Sequence, residues 1–198
     1  MAYVTEQAKI RANGSTDTII DKTLPADVAG MRSDDWMFYY ADIFVESVQY
    51  GNRTKLCDML AAQDPTDQDA IVMASTKFGS DVAGVNPQDY DTRIIADTTI
   101  DTSASGRPWT FQYCTEYGFF QTPSQEHTMR SSLLDLPYWP AMCSRSFQGL
   151  DMSQLPKGKW SNIDQGSLRI SGTNIFFANG TEDPWKWATK RDADADRN

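Results

Sequence analysis

The sequence predicts an α/β protein, mostly α in this chain, with one or two core strands. Trp36, Tyr39, Tyr40, Ile43, Phe44 and Val48 recur at i, i+3, i+4, i+7, i+8 and i+12, the one-sided stripe of a long helix. Residues 174–178 form a short apolar run that ends in Asn179-Gly180, two residues that tolerate φ > 0. That pattern reads as a buried strand feeding a turn. A hydrophobic content of 40% with 12% aromatics describes a packed chain and excludes general disorder.

Taken in order, residues 1–30 read as polar helix broken at Asn13-Gly14 and at Pro25, with Ile10, Ile19, Ile20 and Leu24 as the strong apolar anchors. Ser33, Asp34 and Asp35 are cap-type residues before the long helix, and Gly51-Asn52 ends it. Asp42 and Glu46 lie one turn apart on that helix, which invites an acid/base reading. The plainer expectation is its solvated or lightly hydrogen-bonded side. A second helix spans about 53–62 and closes at Asp64-Pro65, and a third runs from about residue 67 to Phe78-Gly79. Residues 79–106 read as loops and short helices, with a boundary at 103–106. Residues 109–122, WTFQYCTEYGFFQT, are aromatic on almost every side and predict a buried helix, so Glu116 should need a partner. Residues 133–147 predict a buried turn and a short helix, and 148–173 a polar loop. Residues 191–198 are a charged tail whose D-A-D-A-D pattern lacks the glycine and closing Glu of a calcium loop.

After the expected strand, Pro184 holds Asp183 in an extended conformation, with Trp185 and Trp187 behind it. An acid on a rigid loop at the carboxyl end of a strand is where open α/β sheets keep working residues. On spacing alone an Asx-type turn acid without chemistry fits better. No G-x-S-x-G turn occurs, and the single histidine, His127, precedes Asp183 and reads as a surface residue. Cys57 and Cys114 sit on apolar helices, where a thiol is inert or disulfide-bonded. The bare residues make no complete catalytic constellation.

The formal charge of -9 argues against nucleic acid and anionic membrane as partners. No apolar run approaches a membrane span, and the first residues have no signal-peptide pattern. Three cysteines are too few for a disulfide framework and show no zinc spacing; no metal or cofactor is expected. Asn13, Asn52 and Asn179 head glycosylation sequons, which are permissive signals. With the odd cysteine they fit part of a secreted or lysosomal protein.

Three stretches together resemble one family, the serine peptidases that include lysosomal Pro-X carboxypeptidase and dipeptidyl peptidase II. Residues 35–60, DWMFYYADIFVESVQYGNRTKLCDML, resemble its cap-domain run of an aromatic helix, A-D, Q-Y-G and L-C. Residues 109–122 resemble its W-x-x-Q-x-C-T-E-x-G-x-x-Q-T motif, and NGTEDPW at 179–185 resembles its acid loop. The order matches, and the similarity covers residues 23–188.

The resemblance implies a fragment of an α/β-hydrolase with an inserted helical cap. It divides the chain into a partial cap at 1–102, the C-terminal part of the hydrolase domain at 103–190 and the tail at 191–198. It makes Asp183 the acid of a Ser-Asp-His triad and puts Trp109, Gln112 and Glu116 beside the substrate cleft. It pairs Cys114 with Cys143, and Cys57 with a cysteine upstream of this chain. The substrate would be a peptide cut beside proline, and the parent a lysosomal, vacuolar or secreted enzyme, as a homodimer in its full-length form. Nucleophile and histidine would lie before residue 1 and after residue 198, so this chain alone should be inactive. A non-catalytic binding or interaction protein of the same fold is the alternative, and an unrelated helical domain a third reading.

Overall fold

The computed structural model describes residues 1–124, 126, 129–152, 162–170 and 172–191. Helix α1 (Ala2–Ala12) packs against the short α2 (Ile19–Thr23) and against the long α3 (Ser33–Gln49). A reciprocal cap starts α2: Thr18 Oγ1 accepts from the Asp21 N–H, and Asp21 Oδ2 accepts from the Thr18 N–H at 3.0 Å. Arg11 ties α1 to α2 and to the turn before α3, donating to Asp21 Oδ1 at 2.6 Å and to the Ala29 carbonyl at 2.8 Å. Ile19, Ile20 and Val28 are fully buried, whereas Ile10 is 39% exposed and does not anchor this region.

Helix α3 is the centre of the core. Its cap is Arg32, so Ser33, Asp34 and Asp35 lie inside the first turn, where acids favour the helix dipole. Trp36, Met37 and Ile43 have no exposed surface, and Trp36 stacks on Tyr40 at 5.0 Å. Helices α4 (Arg53–Ala61) and α5 (Gln68–Phe78) pack on α3 and on each other. Asp67 caps α5 by accepting from the Ala70 N–H at 2.9 Å. Beyond α5 a wide turn, Gly79–Ala83, brings the chain against α3 so closely that a Cβ on Gly79 would stand 2.8 Å from Ile43 Cγ1. Only glycine fits there.

Helix α6 (Thr92–Ile95) starts on Asp91, α7 (Gly106–Gln112) continues into a wide turn at Tyr113–Tyr117, and α8 (Tyr138–Ser146) closes the core. The buried Asp35 joins its own helix α3 to α6 and α8. It accepts from Thr92 Oγ1 at 2.7 Å, Tyr138 Oη at 3.2 Å and Arg145 Nη2 at 3.0 Å. Burial still raises its carboxyl above the usual range, against those lowering contacts. Cys114 and Cys143 form a disulfide that staples the turn after α7 to α8.

Several sequence expectations change here. Residues 174–178 do not form a strand, and no strand occurs among the described residues. Ile175, Phe176 and Phe177 are 50%, 91% and 39% exposed. The reason is pairing: a strand needs a neighbour to satisfy its backbone groups, and the described residues offer none. Residues 109–122 are not buried all round. Thr110, Tyr113, Cys114 and Thr115 face the core, while Gln112 and Glu116 are exposed. Asp42 is not on a solvated side but buried. Cys57 is an exposed thiol with no disulfide partner within this chain. No described helix is long and apolar enough to cross a membrane. His127 and residues 192–198 of the tail lie outside the described residues.

Candidate active site

The acid loop is built from its own backbone. Asp183 sits at φ -68° and ψ 116°, and Pro184 opens a 3₁₀ turn, Pro184–Ala188. Asp183 Oδ1 caps that turn by accepting from the Trp185 N–H at 2.8 Å. Among the described residues nothing donates to its Oδ2. One oxygen therefore fixes the side chain and the other stays open, which suits an acid that orients a second group. Gly180 allows the tight approach, since a Cβ there would meet Asp183 Cβ at 3.3 Å.

Two contacts dock this loop on the helices. Glu182 pairs with Arg53 at the start of α4, with a 3.0 Å separation, and the Trp185 ring meets Trp109 of α7 edge to face at 5.9 Å. Trp109 also packs on Tyr113 at 6.0 Å and Tyr117 at 6.1 Å. The acid loop and the 109–122 stretch, remote in sequence, are thus in contact.

They share a cavity with α3. Its volume is about 130 Å³, and its walls include Asp42 and Glu46 of α3, Trp109 and Tyr113, Gln121, and Trp185 of the acid loop. All three stretches singled out in the sequence contribute to it. Asp183 stands two residues from this wall without lining it, and Gln112 and Glu116 lie outside it. Of the sequence candidates, the structure gathers Asp183 and Trp109 into one neighbourhood and leaves Gln112 and Glu116 on the exposed side of the same helix. Asn13 is exposed at the end of α1, and Asn52 is half-buried at the start of α4.

The polar centre of the cavity is Asp42, which is hydrogen-bonded as one of the two expectations for it had it, but buried rather than solvated. It is 6% exposed. Burial pushes its carboxyl up to about 7; the charge of Arg130 opposes that rise, Glu46 adds to it, and the hydrogen bond from Tyr90 opposes it. Tyr90 Oη donates to Oδ2 at 3.2 Å, and Arg130 Nη2 is 3.9 Å from Oδ1. Arg130 Nη1 in turn donates to Gln121 Oε1 at 3.2 Å. Burial also lowers the Arg130 guanidinium from its ordinary range. A signal for Asp42 was present: Phe38, Asp42, Val45 and Gln49 form a second helical stripe beside the obvious one.

Among known proteins, the family profile described as serine carboxypeptidase S28 matches residues 20–197. A probable serine protease of Arabidopsis thaliana is 32% identical over 162 residues, covering 80% of this chain and 32% of that protein. A probable extracellular serine carboxypeptidase of Arthroderma benhamiae is 36% identical over 107 residues, 50% of this chain and 14% of its own length. The thymus-specific serine protease of Mus musculus is 31% identical over 93 residues, 46% of this chain and 18% of that protein. The chain thus spans about a third of the Arabidopsis relative and less of the other two. No solved structure matches.

Proposed function

This chain belongs to the serine carboxypeptidase S28 family, and from that premise we propose that it carries the acid-bearing part of a serine exopeptidase acting on peptides beside proline. In this reading residues 1–102 are part of the cap and 103–190 part of the hydrolase domain. Asp183 is the triad acid. It holds the histidine in the right tautomer and stabilises its protonated form, while the nucleophile and oxyanion donors come from outside these residues. The observation that supports this most directly is the geometry of Asp183. It is locked through Oδ1, open at Oδ2, and seated on a loop docked through Trp185 onto Trp109. Trp109 then walls the substrate cleft, with Gln112 and Glu116 at its mouth. Asn13 and Asn52 are glycan sites of a lysosomal, vacuolar or secreted parent, which is a homodimer.

The 198 residues hold no G-x-S-x-G turn and one histidine on the wrong side of the acid, so the chain by itself should turn over no Xaa-Pro amide or Pro-X peptide. A chromogenic Xaa-Pro dipeptide amide and a blocked Pro-Phe dipeptide test both specificities. Turnover by this chain that Asp183→Ala abolishes would overturn the division of the triad. In a protein extended to the length of the relatives, Asp183→Asn should lower kcat by about 10⁴-fold with little change in KM.

A further inference from the structure

Asn179 and Gly180 suit a turn because both tolerate φ > 0, but the structure does not use that freedom. Positive φ among the described non-glycine residues falls at Ser167 and Asn174, and Gly180 is not among the glycines that have it. The side chain of Asn179 is what the fold employs. Its Nδ2 donates to the Lys190 carbonyl at 3.1 Å, and its Oδ1 accepts from Thr189 Oγ1. One amide thus joins the start of the acid loop to its end, eleven and ten residues further on. The loop's own backbone hydrogen bonds close it less firmly. From the Asp183 N–H to the Gly180 carbonyl is 3.4 Å, from Lys186 to Asp183 3.2 Å and from Thr189 to Lys186 3.4 Å, all long for such bonds. The far end is itself tied down, since Lys190 Nζ donates to the Ile170 carbonyl at 3.1 Å. Both contacts that seat the loop on the helices, Glu182 with Arg53 and Trp185 with Trp109, lie between the two clasped ends.

We propose that Asn179 is a positioning residue for Asp183: its amide clasps the two ends of the acid loop and so fixes where the open oxygen of the carboxylate points. The catalytic part of this assignment rests on reading Asp183 as the triad acid; the clasp does not. The residue type follows from the two partners. The Lys190 carbonyl needs a donor and Thr189 Oγ1 an acceptor, and a primary amide supplies both. Aspartate lacks the donor, alanine lacks both groups, and glutamine sets its amide one methylene further out. Asp183 Oδ1 is spent on the Trp185 N–H at 2.8 Å, so the carboxylate moves with the 3₁₀ turn that it caps. A catalytic group misplaced by about 1 Å loses on the order of 10²-fold in rate, so a clasp on the loop bears on the reaction without touching it. The Asn179-Gly180-Thr181 sequon is then incidental. The Thr181 hydroxyl has no part in the clasp, and the amide that would carry a glycan already bonds within the loop.

Amide hydrogen exchange followed by NMR on the 198-residue chain from a bacterial host, which adds no N-glycan, tests the clasp without any activity. Asn179→Ala should speed exchange of the Trp185 and Lys186 amides about tenfold, with the amides of α3 unchanged. Thr189→Val, which removes one of the two hydrogen bonds, should speed it about threefold, and Thr189→Ser should leave it as it is. In a protein extended to the length of the relatives, Asn179→Ala should lower kcat by about tenfold or more at unchanged KM. Thr181→Val, which abolishes the sequon and keeps the amide, should retain full kcat there. Unchanged exchange at Trp185 in a folded Asn179→Ala chain, Thr189→Ser as fast as Thr189→Val, or a rise in KM in place of the fall in kcat would overturn the assignment. So would an equal loss of kcat in Thr181→Val, which would trace the effect to a glycan. Should Asn179→Ala unfold the chain, the Thr189 pair decides. The two readings fail separately. Full kcat in Asp183→Asn ends the triad reading and leaves the exchange result standing, whereas unchanged exchange ends the clasp and leaves the triad acid.

Discussion

The helical body up to Phe147 and the segment 162–191 are built by the same chain to very different degrees of completion. In the body, α3 brings Trp36, Met37 and Ile43 to zero exposure and helices pack round it. In the later segment, Ile175, Phe176 and Phe177 are between 39% and 91% exposed, and no helix longer than a few residues is formed among the described residues. Yet the later segment carries Asp183. A body that satisfies its own burial can tolerate few changes. A segment whose apolar groups remain exposed owes little stability to them here, and its fixed points are the contacts of Glu182 and Trp185 with the helices.

The largest effect should come from the body. Trp36→Ala deletes a fully buried indole that stacks on Tyr40. It should lower unfolding free energy by about 4 kcal/mol in a urea titration, enough to unfold a marginal domain. Next comes the staple between the turn after α7 and α8. The Cys114–Cys143 bridge closes a loop with a sequence separation of 29. Paired Cys→Ser replacement should cost about 3.5 kcal/mol, mostly through the unfolded state. An effect near zero would mean that α8 is held by its packing alone.

Asp42 sets a smaller and opposite-signed test. A carboxyl whose folded pKa is raised binds its proton more tightly when folded. Its contribution to stability is fully present below the unfolded pKa and is lost as pH climbs through about 7. Between pH 5 and pH 8 that loss is on the order of a few kcal/mol. Asp42→Asn has no such titration, so its stability relative to the unaltered chain should improve with rising pH. Denaturant melts at the two pH values check it. A difference that does not change with pH would show that Arg130 and Tyr90 compensate the buried charge fully.

Local pattern made some of this legible. The stripe from Trp36 to Val48 identified α3 because one strong face is enough to specify a helix. Asp42 was misread because it lies on the second stripe, with Phe38 and Gln49, and the cover for that stripe comes from elsewhere: Trp139 meets Phe38 at 4.9 Å. Periodicity reports a residue's own helix and says nothing of its neighbours. Residues 109–122 were over-read for a related cause, since aromatic composition hid which side faces the core. The run at 174–178 has the composition of a strand, but composition cannot supply the strand beside it. Asp183 was readable as a turn acid from Asn179, Gly180 and Pro184. Its neighbourhood, through Trp185 on Trp109, was not.

The smallest effect tests the comparison most directly. Phe176 is 91% exposed, so Phe176→Ser in this chain should change stability by less than about 0.5 kcal/mol. The same substitution in a protein of the relatives' length is a different experiment. If residues 174–178 pair there with neighbouring strands, as the proposed hydrolase domain requires, Phe176 becomes a sheet side chain packed between layers. Its loss should then reach about 3 kcal/mol or more. A small effect in both would mean that the segment stays unpaired, and Asp183 would rest on its capped turn and the Trp109 contact alone. A large effect in the isolated chain would contradict the exposure of Phe176 itself.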